Sequence, residues 1–456
     1  MIGMKLSGWF LRIGLILMIA LSLVLSWVIW QNPSRLGHQQ AAVTVIKKSD
    51  KDTTKNIGTV LAPTKAYYQH ANTKQLLFTP DDDVITNLRD TVKNWQIRSV
   101  TAGGKLTTSE YNALLANNET LQLVYPDMVA YKLFNGNWFK DGAKAANFNF
   151  DRIVISLGTH PDTMVFVNDR TRAIHTATLK KHSLQKLQSQ IDAATTTSFS
   201  VQELRLSNGR QVSDFTDAIQ VQPYVYLLDQ QSANHYVSLL MPATQTSTVD
   251  ARELGSDTVY TAGTDYRLTL NQDTQVMQFD DASSTNNATN LATNLQKSYT
   301  ALSDLDLLGM NSMRYYRYNK TTRMVTFRSV AQGLPIFNSD YYGRVTVADT
   351  DSGRQMFFST NNLTVPIPTS QAKTTLPATQ AVIDHITSVG YSESAIEDIA
   401  LGYHWVKQNE NSQVVTLKPT YFVEIGGHYR RYNKWLGPSA DKQASATTVV
   451  ATHEQQ

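Results

Sequence analysis

Tyr421-Phe422-Val423-Glu424-Ile425-Gly426-Gly427-His428-Tyr429-Arg430-Arg431-Tyr432 reads as a strand, a two-glycine turn and a returning strand. A two-residue hairpin loop needs positive φ at both central positions, and paired glycines supply it without steric cost. Upstream, Ile399–Trp405 and Val414–Leu417 are further strand-like runs. Before them, Ala381, Val382, Ile383 and Ile386 have helical spacing in a segment that ends at Gly390. Pro366, Pro368 and Pro377 precede that helix and give the composition of a linker. Residues 366–440 therefore read as a helix followed by an antiparallel meander.

The same order occurs once more, earlier in the chain. Leu291, Leu295, Leu302, Leu305 and Leu308 mark a helix that runs into Leu307-Leu308-Gly309, much as Ser388-Val389-Gly390 ends the later one. Strands are expected over Arg314–Tyr318, Met324–Phe327 and Arg344–Val347, with Gly333-Leu334-Pro335-Ile336-Phe337 between the last two. Further strands are expected over Tyr224–Leu228, Tyr236–Leu240, Tyr266–Leu270 and Gln275–Phe279. Residues 196–365 form this β-rich stretch. Residues 61–195 read as an α+β unit. Val84, Ile85, Leu88, Val92 and Trp95 carry helical spacing behind Asp81-Asp82-Asp83. Three carboxylates before a helix suit its N-terminus better than they suit calcium, which needs staggered oxygens. Thr107 and Glu110 form a capping box. Strands follow over Leu121–Tyr125, Arg152–Leu157 and Met164–Val167, then a polar helix over Ser183–Ile191. The fold class is α+β, with the last two units β-rich helix-plus-antiparallel-sheet modules.

The N-terminal end is different in kind. Ile13 to Trp30 is an eighteen-residue run without charge, and Trp9, Phe10 and Leu11 extend it. Roughly 20 residues of α-helix cross the hydrocarbon core of a bilayer. Trp9 and the pair Trp27 and Trp30 suit its two interfaces. Lys5 and Arg12 on the N-terminal side predict a cytoplasmic N-terminus, residues 1–8, and an extracytoplasmic bulk. The run exceeds the usual apolar region of a cleaved signal peptide and ends in bulky residues, so residues 9–30 read as a retained transmembrane helix. Ser22 and Ser26 give it a small-xxx-small face able to pack on a partner's membrane helix, or simply two serines facing lipid. Residues 31–60 read as a polar linker and 441–456 as a disordered tail.

Composition excludes several functions. The 456 residues hold 41 Lys and Arg against 38 Asp and Glu. Setting aside Lys5, Arg12 and Arg35, the remaining chain has as many acids as bases, so it carries no net field for nucleic acid. With no cysteine there are no disulfides, thiolate metal sites or cysteine nucleophiles. The ten histidines form no HExxH or HxH pattern, and G-x-S-x-G, P-loop and dinucleotide fingerprints are missing. Ser183 and Lys186 match S-x-x-K, without the S-D-N or K-T-G that would accompany it in a penicillin-recognising enzyme. No cofactor, metal or catalytic set is expected. An envelope enzyme or wall-binding protein, with Ser183 and Lys186 as its handle, is the alternative reading. Two basic-aromatic runs, Arg314-Tyr315-Tyr316-Arg317-Tyr318 and His428-Tyr429-Arg430-Arg431-Tyr432, suit either interaction surfaces or ordinary alternation on half-exposed strands. Arg314, Tyr316 and Arg430 are the candidate contact residues.

Leu21-Ser22-Leu23-Val24-Leu25-Ser26-Trp27-Val28-Ile29-Trp30-Gln31-Asn32-Pro33 resembles the anchor of the YycH family of low-GC Gram-positive bacteria. The order of one anchor, an α+β domain and two β-rich domains is similar as well. Gly333–Phe337 and Thr420–Glu424 sit where that family has its C-terminal modules. The resemblance implies a non-catalytic accessory regulator of the WalK (YycG) sensor histidine kinase, which governs cell-wall metabolism. It implies a YycI-type protein as co-partner, with contact made through the membrane helices. It transfers no catalytic residues, and it favours Ser22 and Ser26 as a packing face.

Overall fold

The structure, a computed structural model, describes residues 15, 18–20, 22–23, 57–79, 84–134, 138, 148–158, 160–242, 249–285, 290–338, 341–407 and 412–438. Most of the expected membrane helix, including Ser26, lies outside them, as do Asp81-Asp82-Asp83 and residues 441–456. Within the anchor stretch Leu15, Met18, Ile19, Ala20, Ser22 and Leu23 are helical and exposed. Among the described residues no helix is long and apolar enough to cross a membrane.

Nine strands build the first sheet: β1 (Lys65–His70), β2 (Thr73–Leu76), β3 (Gln96–Lys105), β4 (Thr120–Ala130), β5 (Asn149–Ser156), β6 (Thr163–Asn168), β7 (Ala173–Lys181), β8 (Phe199–Arg205) and β9 (Gln211–Asp214). Their order is β3-β7-β6-β5-β4-β1-β2-β8-β9, so β8 and β9 carry this sheet past residue 195. The helices Val84–Val92 and Leu184–Thr195 bury Ile85, Leu88, Val92, Leu187 and Ile191 against it. Helix Thr108–Leu115 opens on the expected capping box: Thr107 accepts from the Glu110 amide, and the Glu110 carboxylate accepts from the Thr107 amide.

The rest of the chain adds β10 (Ile219–Val221), β11 (Tyr224–Gln230), β12 (Asp250–Leu254), β13 (Asp257–Ala262), β14 (Tyr266–Asn271), β15 (Val276–Asp281), β16 (Met313–Asn319), β17 (Met324–Ala331), β18 (Leu334–Phe337) and β19 (Arg344–Thr350). It continues with β20 (Gly353–Ser359), β21 (Asn361–Ile367), β22 (Thr374–Leu376), β23 (Asp398–Lys407), β24 (Val414–Ile425) and β25 (His428–Arg431). All but the β10-β22 pair belong to one sheet of fourteen strands. Its two halves are joined where β18 runs parallel to β23, Ile336 opposite Tyr403. The central and C-terminal stretches thus share backbone hydrogen bonds. The mostly β, α+β class expected from sequence is what the structure shows.

The glycine turn is formed as read. Gly426 and Gly427 have φ of 59° and 78°, and Ile425 pairs with His428. Two expectations are corrected. Tyr236–Leu240 is not a strand but part of the helix Ala233–Leu240, because the Ser232 hydroxyl caps the amide of His235 and the turn buries Tyr236 and Val237 together. Val414–Leu417 and Tyr421–Ile425 are one continuous strand, β24. Pro419 sits where neither β11, which reaches Leu417, nor β25, which starts at Phe422, needs its missing N–H.

Two cores tie the sheets together. One runs from the aromatic group Tyr131, Phe134, Trp138, Phe150 and Phe166 to Leu295 and Leu302 of the helix Leu291–Asp304, and on to Tyr315, Val325 and Phe327. The other joins Tyr67, Val201 and Phe215 to Val382 and Ile386 of the helix Thr379–Ser388 and to Tyr403, Trp405, Tyr421 and Val423. Each of the later helices therefore covers its own meander and also touches the first sheet's territory.

Candidate functional site

Alternation along Met324-Val325-Thr326-Phe327-Arg328 sends Val325 and Phe327 into the first core and Thr326 and Arg328 to the opposite face. On that face Arg328 stands directly opposite Arg344 of β19, with Arg317 of β16 beside them. Like charges directly opposite across strands cost stability, so folding alone does not favour this row. The hairpin β24-β25 folds over the same face. A cleft of about 550 Å³ results, lined by Arg317, Arg328, Arg344, Arg430, Arg431 and Lys434, with His404 and His428. No Asp or Glu occurs among its described lining residues. The two basic-aromatic runs meet here although more than a hundred residues separate them.

Aromatic rings floor the cleft. Phe337 stacks on Phe422 at 4.2 Å, and Tyr316 meets Tyr429 edge-on at 5.9 Å. The Arg328 guanidinium lies 4.2 Å from the Phe337 ring centre and 4.9 Å from that of Tyr316. Only 4% of Arg328 is exposed, and it donates to the Ile336 carbonyl at 3.1 Å while its Nε finds no hydrogen-bond acceptor. Burial, with the neighbouring Arg344 and Arg317 charges adding to it, pushes Arg328 down to about 10. Burial and then the Arg431 charge likewise push His404 down to about 4. Arg317 has an acid beneath it: it forks onto the fully buried Glu424 and donates to the Tyr429 hydroxyl at 3.2 Å.

From Tyr429 a polar chain leads out of the cleft. Its hydroxyl donates to Asp398 at 2.5 Å, and Asp398 pairs with Arg210 at 3.2 Å. Arg210 also donates to the Pro126 carbonyl at 2.9 Å, which brings the chain onto the first sheet. That sheet holds its own buried ion cluster. Arg152, with no exposed surface, forks onto Asp169 and reaches Glu203 at 2.5 Å, and Lys74 holds the other side of Glu203. Burial raises Glu203, but Arg152 and Lys74 outweigh it and hold the carboxyl at about 2. The neighbouring Asp151 has the opposite fate: burial first, then the Asp169 charge, push it up to about 8. Both clusters are ion-pair structure, with no arrangement of nucleophile and base.

The candidate contact residues differ in exposure. Tyr316 is buried at the floor of the cleft. Arg430 is half-buried on its wall, 4.8 Å above the Trp435 ring. Arg314 is a correction: at 5% exposure it lies under the neighbouring structure, donating to the Asn311 and Met313 carbonyls, and offers no open surface. A run that alternates on a sheet face looks exposed from sequence, and only the long-range packing of the first sheet buries this one. Ser22 is helical and exposed, and its companion Ser26 is outside the described residues. Ser183 and Lys186 are exposed at the start of the helix Leu184–Thr195 and line none of the described cavities. Sequence reasoning missed Arg328 and Arg344, which sit singly in different strands. Their one signal was an arginine at the non-core position of an otherwise apolar strand.

Comparison with known proteins matches two families along the chain. Residues 11–196 match the YycH protein N-terminal domain and residues 215–435 the YycH protein C-terminal domain. The fold is similar to the crystal structure of YycH from Bacillus subtilis, with a TM-score of 0.68 at 14% identity, covering 84% of this chain and 98% of that one. No curated protein gives a significant match. The two family matches between them take in most of the sequence, and the chain belongs to the YycH family.

Proposed function

We propose that this chain is a non-catalytic regulator of the YycG (WalK) sensor histidine kinase, held in the cell membrane by residues 9–30 and acting with a YycI-type protein. Membership of the YycH family carries this reading. The apolar run Ile13–Trp30 supports the anchor, with residues 1–8 inside and the units 61–195, 196–365 and 366–440 outside. In this reading Ser22 and Ser26 pack on a kinase membrane helix, and the cleft wall around Arg430 is the second contact candidate. A regulator shifts a kinase only through the difference in its affinity for the two kinase states, so binding must be tested together with output. The full chain, affinity-purified from solubilised membranes, should bring down the kinase and the YycI-type protein, and its deletion should change the kinase's transcriptional output. Recovery of wall fragments or penicillin labelling without the kinase refutes the reading.

A further inference from the structure

A buried guanidinium is expected to have a carboxylate or a set of carbonyl acceptors around it. Arg328 has one carbonyl, three aromatic faces and an Nε with no acceptor. Aromatic faces attract a cation, but they do not accept the in-plane hydrogen bonds of the guanidinium fork. The open side of Arg328 is the cleft, whose lining also holds Arg344, Arg431 and Lys434. In a folded part whose acids and bases balance, this concentration of one sign in a 550 Å³ cleft is local and strong. The volume is that of a small-ligand site rather than of a flat protein contact. Planar forks bind carboxylate or phosphate equally well in geometry. Charge decides between them: several cations in so small a space require a ligand dense in negative charge. A phosphate monoester brings nearly two charges and three acceptor oxygens on one centre, against one charge for a carboxylate.

We propose that this cleft is a binding site for a small ligand bearing two or more phosphate groups, with Arg328 reaching it from the floor and Arg344, Arg431 and Lys434 from the walls. The stack of Phe337 on Phe422 and the Tyr316–Tyr429 pair hold the floor rigid, so the cations are in place before the ligand arrives. The phosphate could be free or carried on a lipid headgroup, and the chemistry at the cleft is the same.

The test uses the full chain in uncharged detergent at low ionic strength, titrated calorimetrically with tripolyphosphate. A short-chain cardiolipin, a lipid with two phosphates, serves as competitor and hexaglutamate as a parallel ligand. Tripolyphosphate should bind one to one and raise Tm. Arg328→Met and Arg431→Glu should each weaken it about tenfold or more, the loss expected for one charge-assisted contact. Unliganded Arg328→Met should melt no lower than the parent, since removing an uncompensated buried charge is not destabilising. If it does melt lower, Arg431→Glu, on the rim of the last strand, decides alone. Displacement by the short-chain lipid assigns the phosphate to a headgroup, and failure to displace assigns it to a soluble ligand. No binding of tripolyphosphate, unchanged affinity in both variants, or tighter binding of hexaglutamate overturns the proposal.

Discussion

At the scale of single residues the molecule sets neighbouring carboxyls in opposite directions. Asp151 accepts the Asp169 amide at 2.7 Å yet has the like charge of Asp169 beside it, while Glu203 has two cations. The consequences for stability have opposite signs. Glu203 is depressed from 4.5 to about 2, so its contribution is present above pH 4.5 and is lost as pH falls toward 2. Asp151 is raised from 3.8 to about 8, so the folded state keeps a proton that the unfolded chain releases near pH 4. Its penalty grows as pH climbs from about 4 to 8. For these two groups stability should therefore peak near pH 4, between their unfolded values of 3.8 and 4.5. Asp151→Asn keeps the carbonyl that accepts the Asp169 amide and removes the titrating proton. It should leave Tm nearly unchanged at pH 4 and stabilise by an amount that grows steadily up to pH 8, on the order of several kcal/mol. Melting curves of both proteins between pH 4 and 9 check this, and parallel curves with no convergence at acid pH would rule it out.

At the scale of elements the parallel contact between β18 and β23 decides whether two meanders become one sheet. It forms at Gly402, where an added Cβ would stand 2.6 Å from the Pro335 carbonyl oxygen and 2.8 Å from the Phe337 ring. Neither neighbour can swing away, one being backbone and the other wedged between Phe422 and Arg328. Gly402→Ala should cost about 1–3 kcal/mol by forcing β18 outward, and it should loosen the floor of the cleft with it. Urea unfolding gives the number, and a loss under about 0.5 kcal/mol would mean the strands part without effort. This contact was not legible in the sequence. Local signals were: the Gly426-Gly427 turn, the Thr107–Glu110 box and the leucine periodicity before Gly309 each act within a few residues. The β18-β23 pairing joins backbones 67 positions apart, Ile336 to Tyr403, and Gly402 reads as an unremarkable glycine inside a strand. Tyr236–Leu240 shows the complementary failure, a short apolar run whose form was set by one capping serine.

At the scale of the whole molecule the nine-stranded sheet is bolted to the fourteen-stranded one. The Tyr315 hydroxyl donates to the Met128 carbonyl at 3.0 Å, the Tyr318 amide donates to Asp127 at 3.0 Å, and the Asn208 side chain donates to the Glu397 carbonyl at 2.7 Å. The Arg210–Asp398 pair and two shared cores join them further, and the candidate site was only half legible because this long-range packing makes it. The basic-aromatic runs were visible one by one, whereas their meeting and the burial of Arg314 came from packing over long distances. Under the proposed function, a folded part so connected would bias a kinase in one of two ways: through a surface such as the cleft wall, or through the expected anchor. The folded part is balanced in charge, and the cleft is concave. Ser22 and Ser26 are four positions apart in the sequence, one turn of the expected membrane helix, and small residues there would allow helices to approach closely. Each hydroxyl gains roughly 0.6–2 kcal/mol from a partner in hydrocarbon, so two state-specific contacts would shift a kinase equilibrium by about tenfold or more. Exchanging Ile13–Trp30 for an unrelated membrane helix should therefore abolish most of the regulation while leaving the folded part intact, as read by kinase output and by the melting of the purified chain. Arg430→Glu, on the cleft wall, should leave kinase output within about twofold of the parent. If output survives the helix exchange and collapses with Arg430→Glu, the contact lies on the folded part and the helix is only a tether.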